Sequence, residues 1–252
     1  MTVRSAKTLL FLLFLDASCG PAEISRREFA VERERMVKEQ VAMRGVTNER
    51  VLTAVRKVPR DQFVPEVVRN LAYTDQPLPI GHDQTISQPF IVAFMTEKLK
   101  LQPTDRVLEI GGTGSGYQAA ILAELAAQVY TIEIVAPLGE RAKATLQRLD
   151  YKNVHVKVGD GYQGWPEEAP FDAVIVTCAP EHVPRPLIDQ TREGGRVIIP
   201  VGAAGNQQLY LLEKREGRLR QRAVLPVRFV PMTGRAREEK TEEAGRLVAP
   251  PR

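Results

Sequence analysis

Cysteine and histidine are scarce in this sequence. Its 252 residues include two cysteines, Cys19 and Cys178, so no disulfide framework is expected if Cys19 is removed or modified. The three histidines, His82, His155 and His182, are scattered, and none has a cysteine or carboxylate at the spacing of a zinc-ligand pair. We therefore expect no metal site.

Long apolar runs and a concentration of one charge are also missing. Residues 9–15 (LLFLLFL) form an apolar run of only seven residues, whereas a membrane-spanning helix needs about 20. The 35 basic and 31 acidic residues give a net charge of +4, and the two signs are interleaved, as at residues 235–246. Nucleic-acid-binding proteins usually concentrate Lys and Arg on one face, so we expect no nucleic-acid partner. The 43% hydrophobic and 26% charged residues are typical of a soluble globular protein.

Residues 1–20 resemble an export signal. Two basic residues precede the apolar run, and residues 17–20 (ASCG) resemble, imperfectly, the end of a lipoprotein signal with Cys19 as the lipidated residue. The alternative is a misassigned start codon, with the protein beginning near Val31 or Met36.

The segment before residue 100 is predicted to be mainly helical, because its apolar residues recur at helical spacing. The expected elements are a helix over 26–44 ended by Gly45, a helix capped by Thr47 and ending near Val58, a loop or short extended stretch at 71–84, and a helix that follows Ser87 and ends near Leu99.

Beyond Pro103, short apolar strands alternate with helices, which predicts an α/β fold with a parallel, doubly wound sheet. The expected strands are 106–110, 129–133, 154–158, 171–176 and 196–200, with helices at 116–127 and 137–149. Two later strands, 209–214 and 223–230, predict an antiparallel edge. These elements divide the chain into a signal-like or misassigned segment (1–20), an N-terminal helical extension (21–85), an α/β core (86–202), C-terminal strands (203–233) and a charged tail (234–252).

A glycine-rich turn follows the strand at 106–110. It reads EIGGTGSG over residues 109–116, and glycines allow positive φ angles and a close approach of a ligand to the main chain. A helix begins directly afterwards, so its free N–H groups point at whatever is bound. Glu133 ends the next strand, which places a carboxylate beside the turn, where ribose hydroxyls can donate to it.

Several ligands are compatible with this turn. A phosphate-binding P-loop is excluded, because Gly116 is followed by residues 117–118 (YQ) instead of Lys and Ser or Thr. Residues 114–119 (GSGYQA) fit a loose dinucleotide pattern, so the turn alone favours NAD and S-adenosylmethionine (SAM) almost equally as the ligand. A third interpretation is that the turn is merely structural and binds no ligand. Asp160 follows the predicted strand 154–158. Its carboxylate could accept a hydrogen bond from the exocyclic amine of adenine, or it could cap the following turn.

The most specific stretch of the sequence is residues 79–89 (PIGHDQTISQP). Supporting segments are LEIG with TGSGYQAA, then GDGYQGWPEEAPFDAVIVT, then VRFVP. From about Met36 to Met232, the sequence resembles the protein-L-isoaspartate O-methyltransferase family, in which TISQP (residues 85–89) is a hallmark.

The resemblance implies the Rossmann-like fold of SAM-dependent methyltransferases, with family-specific additions at both ends. It implies SAM as the methyl donor. As acceptors, it implies peptides and proteins that carry L-isoaspartyl or, less readily, D-aspartyl residues. The methyl ester would then yield a succinimide that reopens partly to normal aspartate.

The resemblance also assigns site residues. Ser87 matches the residue regarded as catalytic, with Thr85 and His82 on the substrate side. The matches to the SAM contacts are Glu109, Gly111, Gly112, Thr113, Gly114, Ser115, Gly116, Glu133, Asp160 and Gly161. From its position alone, Ser87 could instead be the N-cap of the helix that follows.

Two positions depart from the family pattern. The family usually has one glycine before Thr-Gly-Ser-Gly, whereas Gly111 and Gly112 both precede it in this chain. His82 and Asp83 replace a more usual small or polar pair.

We expect a monomer in the cytoplasm, where SAM is made. Export or a lipid anchor at Cys19 is the alternative if residues 1–20 act as a signal. Three other functions stay open: a SAM-dependent methyltransferase with another acceptor, an NAD-dependent oxidoreductase, and an exported, non-catalytic binding protein. The sequence argues against the NAD-dependent oxidoreductase, because no His or Tyr-Lys pair is well placed as the acid or base for hydride transfer.

Overall fold

The protein is represented by a computed structural model that describes residues 26–111 and 114–236, apart from the Arg218 side chain. The signal-like segment with Cys19, the tail beyond residue 236, and Gly112 and Thr113 of the glycine-rich turn lie outside the described residues. The division of the chain into segments at residues 85, 202 and 233 stays a prediction.

Seven of the described strands form one sheet. In chain order, the strands are β1 (Leu78–Gly81), β2 (Gln84–Ile86), β3 (Arg106–Ile110), β4 (Gln128–Glu133), β5 (Val154–Val158), β6 (Phe171–Val176), β7 (Thr191–Val201), β8 (Gln207–Arg215) and β9 (Arg218–Val227). The sheet order is β5-β4-β3-β6-β7-β8-β9, in which β3 to β7 pair in parallel and β8 and β9 are antiparallel. The predicted α/β class with an antiparallel edge is therefore confirmed.

The later strands are longer than predicted, or shifted. β7 begins at Thr191 instead of residue 196, because it continues through Gly194 and Gly195 with an irregular register against β6. β9 covers Arg218–Val227, whereas 223–230 was expected. Pro226 is tolerated inside β9, since β9 is the edge strand.

The described residues contain six α-helices, and the last four of them pack directly on the sheet. The six helices are α1 (Arg26–Arg35), α2 (Glu49–Lys57), α3 (Pro89–Leu99), α4 (Tyr117–Ala123), α5 (Ala136–Arg148) and α6 (Arg185–Asp189). α3 begins at Pro89 with Gln88 as its N-cap residue and without a side-chain cap, so the N-cap interpretation of Ser87 is wrong.

The first predicted helix is not uniform over 26–44. α1 is followed by a π-helical turn at Met36–Val41 and a 3₁₀ turn at Ala42–Arg44, and Gly45 ends the helix with a φ of 96°. Hydrogen bonds between residues five apart bring such residues onto one side of a π-helix. Met36 and Val41 are five apart and both buried, so the wider turn serves the core.

The segment at 78–86 is a β-hairpin, where a loop or extended stretch was expected. β1 and β2 are joined by His82 and Asp83, which both have positive φ, 53° and 55°. Two successive residues of this kind are typical of a type I′ hairpin turn, and His and Asp adopt positive φ more readily than most residues. The departure from the family pattern at these two positions is therefore compatible with the turn.

The two faces of the sheet carry separate apolar cores. On β3, Val107 packs into a core shared with Leu52 of α2 and Ile121 of α4. The neighbouring Leu108 packs into the second core, with Leu187 of α6. Both faces are thus covered, as expected for a parallel sheet.

We expect Asn48→Ala to lower the free energy of unfolding by about 0.5–2 kcal/mol. The structure corrects the predicted cap of α2: the side chain of Asn48 accepts from the backbone N–H groups of Arg50 and Val51 at 3.0 and 3.2 Å. Thr47 instead donates its backbone N–H to Glu97 Oε1, so Thr47→Ala is the matched control. Urea denaturation of both variants decides the matter, and an equal loss in the two would contradict this assignment.

Candidate functional site

The sheet reverses its winding direction at β3. From β3 the chain passes to β4 and β5 on one side, then returns to β6 on the other. The crevice beyond the carboxyl ends of two such strands is the usual ligand site of open α/β sheets. Gly111 follows β3 and Thr177 follows β6 at this crevice, and two cavities meet there.

The large cavity has a volume of about 410 Å³. Its lining includes Thr85, Ser87, Gly111 and Ser115, together with residues 225–230 near the C-terminus. Ser87 is half-buried. The segment that resembles the family's acceptor side therefore borders the same space as the glycine-rich turn.

The small cavity has a volume of about 30 Å³ and shares Gly111 with the lining of the large cavity. Glu133, Asp160, Gly161 and Cys178 are among the residues that line it. All four belong to the carboxyl ends of strands β4, β5 and β6 or to the residues just after them, which is where the winding order brings them together.

Glycine is required at two positions of the turn. Gly111 has a φ of 78°, and a Cβ there would lie 2.6 Å from the Sγ atom of Cys178. Gly116 has a φ of 83° and is the N-cap residue of α4. A larger residue at Gly111 would have to displace Cys178, which lines the small cavity, and would therefore change the shape of that cavity.

Two carboxylates border the small cavity. Glu133 is 3% exposed, and its Oε1 accepts from the Val135 N–H at 2.8 Å. Burial raises the pKa of Glu133, while backbone N–H groups, including that of Gly114, oppose the rise. Asp160 accepts from the N–H groups of Tyr162 and Arg235 at 2.9 and 2.8 Å. The capping role considered for Asp160 is thus present, and its second oxygen holds the C-terminal segment.

Glu109 lies behind the turn and lines neither cavity. Its side chain is 0% exposed, and neither carboxylate oxygen has a hydrogen bond of good geometry within the described residues. Burial raises its pKa from 4.5 to about 8; the Thr131 hydroxyl opposes this and the charge of Glu133 adds to it. Burial likewise raises the pKa of the Cys178 thiol to about 12.

The structure brings together most, but not all, of the predicted site residues. The residues that line a cavity are Thr85, Ser87, Gly111, Ser115, Glu133, Asp160 and Gly161. Gly114 and Gly116 are buried in the turn behind them. His82 is exposed at the hairpin turn and lines neither cavity.

Sequence reasoning missed several residues that line the cavities. Cys178 could have been found, because it follows a strand of the switch point by two residues. The segment 225–230 overlaps VRFVP, which supported the resemblance but received no role. Arg44 reaches the large cavity from the N-terminal extension, and no local pattern signals this.

Comparison with known proteins identifies the family. The family model described as protein-L-isoaspartate(D-aspartate) O-methyltransferase matches residues 31–237. This chain belongs to that family. The protein-L-isoaspartate O-methyltransferase of Opitutus terrae is 54% identical over 232 residues, covering 92% of this chain and 98% of its own. That of Gloeobacter violaceus is 55% identical over 209 residues, covering 82% and 100%.

Solved structures agree with this assignment. A protein-L-isoaspartate O-methyltransferase with 31% identity superposes with a TM-score of 0.75, covering 82% of this chain and 69% of its own. A Plasmodium falciparum structure described as a member of this enzyme class, in complex with S-adenosyl-L-homocysteine, has 26% identity and a TM-score of 0.70, covering 80% and 98%. The expected family, fold, enzyme class and methyl donor are confirmed, and the dinucleotide alternative is set aside.

The described residues contain neither a membrane-spanning helix nor a cluster of metal-ligating side chains. Among them, no helix combines the length and apolar character that crossing a bilayer requires. Nor do three His, Cys, Asp or Glu side chains gather in the described ranges as a metal site would need.

Glu109→Gln should become more stabilising relative to the unmutated protein as pH rises from about 5 to 8. In this window the folded protein keeps the Glu109 proton, whereas the unfolded chain, with an ordinary pKa of 4.5, has lost it. Stability therefore falls with pH, by about 1.4 kcal/mol per pH unit for one such proton. Glutamine removes this loss.

Urea denaturation at several pH values measures the effect, with exposed Glu39→Gln as the matched control. Parallel stability curves for Glu109→Gln and the unmutated protein would rule out a protonated Glu109 in the folded state.

Proposed function

We propose that this chain transfers a methyl group from SAM to the free carboxylate of L-isoaspartyl (and D-aspartyl) residues in damaged proteins, which starts repair through a succinimide. One observation carries the proposal. Thr85 and Ser87 of the TISQP segment line the same 410 Å³ cavity as Gly111 and Ser115 of the glycine-rich turn. Acceptor-side and donor-side residues thus face one space.

The residues around the turn fit SAM. The buried carboxylate of Glu133 can accept from ribose hydroxyls, and Asp160 can accept from adenine because each carboxylate oxygen has two lone pairs. Tyr117 Oη and Gln118 Oε1 are buried without a hydrogen-bond partner in the described residues, and both residues are among those that line the large cavity. When bound, SAM supplies a methyl group on a positively charged sulfur.

The charge of the large cavity suits an anionic acceptor. Its charged lining residues are Arg44 and Arg228, and no acidic side chain belongs to the described lining. Arg44 stacks over the ring of Phe90 at 3.7 Å and pairs with Asp75 at 2.6 Å, so its position is fixed. An isoaspartyl carboxylate has a pKa near ~4 and is already ionised at neutral pH, so no general base is required.

The role we assign to Ser87 is to orient that carboxylate. Its hydroxyl is half-buried at the large cavity, is not used to cap α3, and has no hydrogen bond within the described residues. It can therefore donate to a carboxylate oxygen, with Thr85 as a second donor. Correct placement of two reactants contributes on the order of 7–11 kcal/mol in favourable cases.

We further propose that the enzyme acts as a monomer in the cytoplasm. SAM is made in that compartment. Its partners are then damaged peptides and proteins that carry isoaspartyl residues.

The unmutated chain should transfer label from radiolabelled SAM to an isoaspartyl peptide, and Ser87→Ala should lower kcat/KM roughly 10- to 100-fold, the effect of losing one hydrogen bond to a charged group. The affinity for S-adenosylhomocysteine should change less than about twofold, because Ser87 acts on the acceptor side. Ser87→Thr keeps a hydroxyl and should recover part of the loss.

Thr104→Ala, at an exposed hydroxyl away from the cavities, is the control. Donor binding by the unmutated chain without label transfer would point to another acceptor. Full activity of Ser87→Ala would remove Ser87 from the mechanism.

Glu133→Gln should weaken S-adenosylhomocysteine binding roughly 10- to 100-fold, because a charged acceptor for the ribose hydroxyls becomes neutral while its size is kept. Calorimetric titration measures the change, and Glu140→Gln on the exposed side of α5 is the control. Equal affinity in Glu133→Gln and the unmutated protein would show that ribose is held elsewhere.

A further inference from the structure

Arg141 of α5 connects the two halves of the site. Its Nη2 atom donates to the backbone carbonyl of Ile80 at 2.7 Å and to that of Gly114 at 3.3 Å. Ile80 belongs to β1 of the acceptor-side hairpin, and Gly114 belongs to the glycine-rich turn. One guanidinium nitrogen carries two N–H groups, so it can serve both carbonyls.

Side-chain packing reinforces this connection. A Cβ on Gly114 would lie 2.7 Å from Ile80 Cδ1 and 3.2 Å from Leu138 Cδ1, so the turn and the hairpin are in direct contact. The backbone N–H of Gly114 is directed at the Glu133 carboxylate, which it stabilises in the charged form. Gly114 is therefore held on three sides, by Glu133, Ile80 and Arg141.

The position of Ile80 matters for the acceptor residues. β1 pairs with β2 so that Leu78 lies opposite Ile86 and Pro79 opposite Thr85. Ser87 follows directly after β2. A displacement of Ile80 relative to Gly114 would thus carry Thr85 and Ser87 away from the donor-side wall of the large cavity.

Arg141 lines neither cavity, and much of its side chain is exposed. Because it borders neither cavity, we expect its effect on the reaction to pass through the two carbonyls. Desolvation lowers its pKa, which shows that the charged group is partly withdrawn from water.

We propose that Arg141 is a positioning residue that couples the donor-binding turn to the acceptor-side hairpin. Occupation of the turn then orders residues 78–87. This inference rests on the proposed function for the naming of the two sides, but its test needs no acceptor.

The experiment is hydrogen–deuterium exchange of the full chain with and without S-adenosylhomocysteine. In the unmutated protein, we expect this ligand to slow amide exchange in residues 78–87 several-fold. Arg141→Met, which keeps an unbranched side chain but removes the hydrogen-bond donors, should lose most of this protection, while its affinity for the ligand changes less than about threefold. Arg141→Lys should be intermediate.

Arg148→Met is the matched control. Arg148 lies on the same helix and donates to Gln62, away from the turn. It should retain the protection. A melting temperature for each variant separates loss of coupling from loss of folding. In steady-state assays, Arg141→Met should lower kcat or raise the KM for an isoaspartyl peptide with little change in the KM for SAM.

Three results would overturn the proposal: protection of residues 78–87 that persists in Arg141→Met, absence of protection in the unmutated protein, or equal loss in Arg148→Met. Failure to methylate an isoaspartyl peptide would refute the proposed function and leave the exchange result intact. Failure of the unmutated chain to bind S-adenosylhomocysteine would overturn the coupling together with the assigned donor site.

Discussion

The site depends on the parallel pairing of β3 with both β4 and β6. The hydrogen-bond ladder continues past the strand ends: the Gly111 N–H donates to the Ile132 carbonyl at 3.1 Å, and the Thr177 N–H to the Ile110 carbonyl at 2.9 Å. The Gly159 N–H likewise donates to the Glu133 carbonyl at 2.9 Å. Backbone hydrogen bonds thus fix the positions of the strand ends that border the two cavities. The side chains there supply the groups that can contact a ligand.

Much of this architecture could be predicted from local pattern. The strands read as short apolar runs because a parallel sheet is buried on both faces, and Glu133 could be placed because strand ends share one edge. The predicted bounds of helices and strands were wrong where the backbone departs from regular geometry. The start of β7 was missed because glycines near it are not typical of a strand. The π-helical turn at Met36–Val41 was missed because the spacing of apolar residues does not distinguish it from an α-helix. Arg44 and Arg141 could not be found, because their partners are distant in sequence.

The electrostatics of the site follow from burial. Glu109, Glu133 and Cys178 lie at the carboxyl end of the sheet, and burial raises the pKa of each. The carboxyl groups of Glu133 and Asp160 border the small cavity, and in their ionised form they favour a ligand that brings positive charge, as a sulfonium donor does. The large cavity has the opposite character, with arginines as its charged lining residues. One side therefore suits a cationic donor and the other an anionic acceptor, and Gly111 lies between them.

The second glycine before Thr-Gly-Ser-Gly lengthens the turn, which could shift the site of the SAM carboxylate or be absorbed without effect. The contacts on either side of the extra residue favour the second outcome. Gly111 is held by the Ile132 carbonyl and packs on Cys178, and Gly114 is held by Arg141 and by the side chain of Ile80. The described ends of the turn, Gly111 and Gly114, are therefore each held by elements that the sheet itself positions, and Gly114 is also fixed relative to Ile80 of the hairpin that carries the acceptor-side residues.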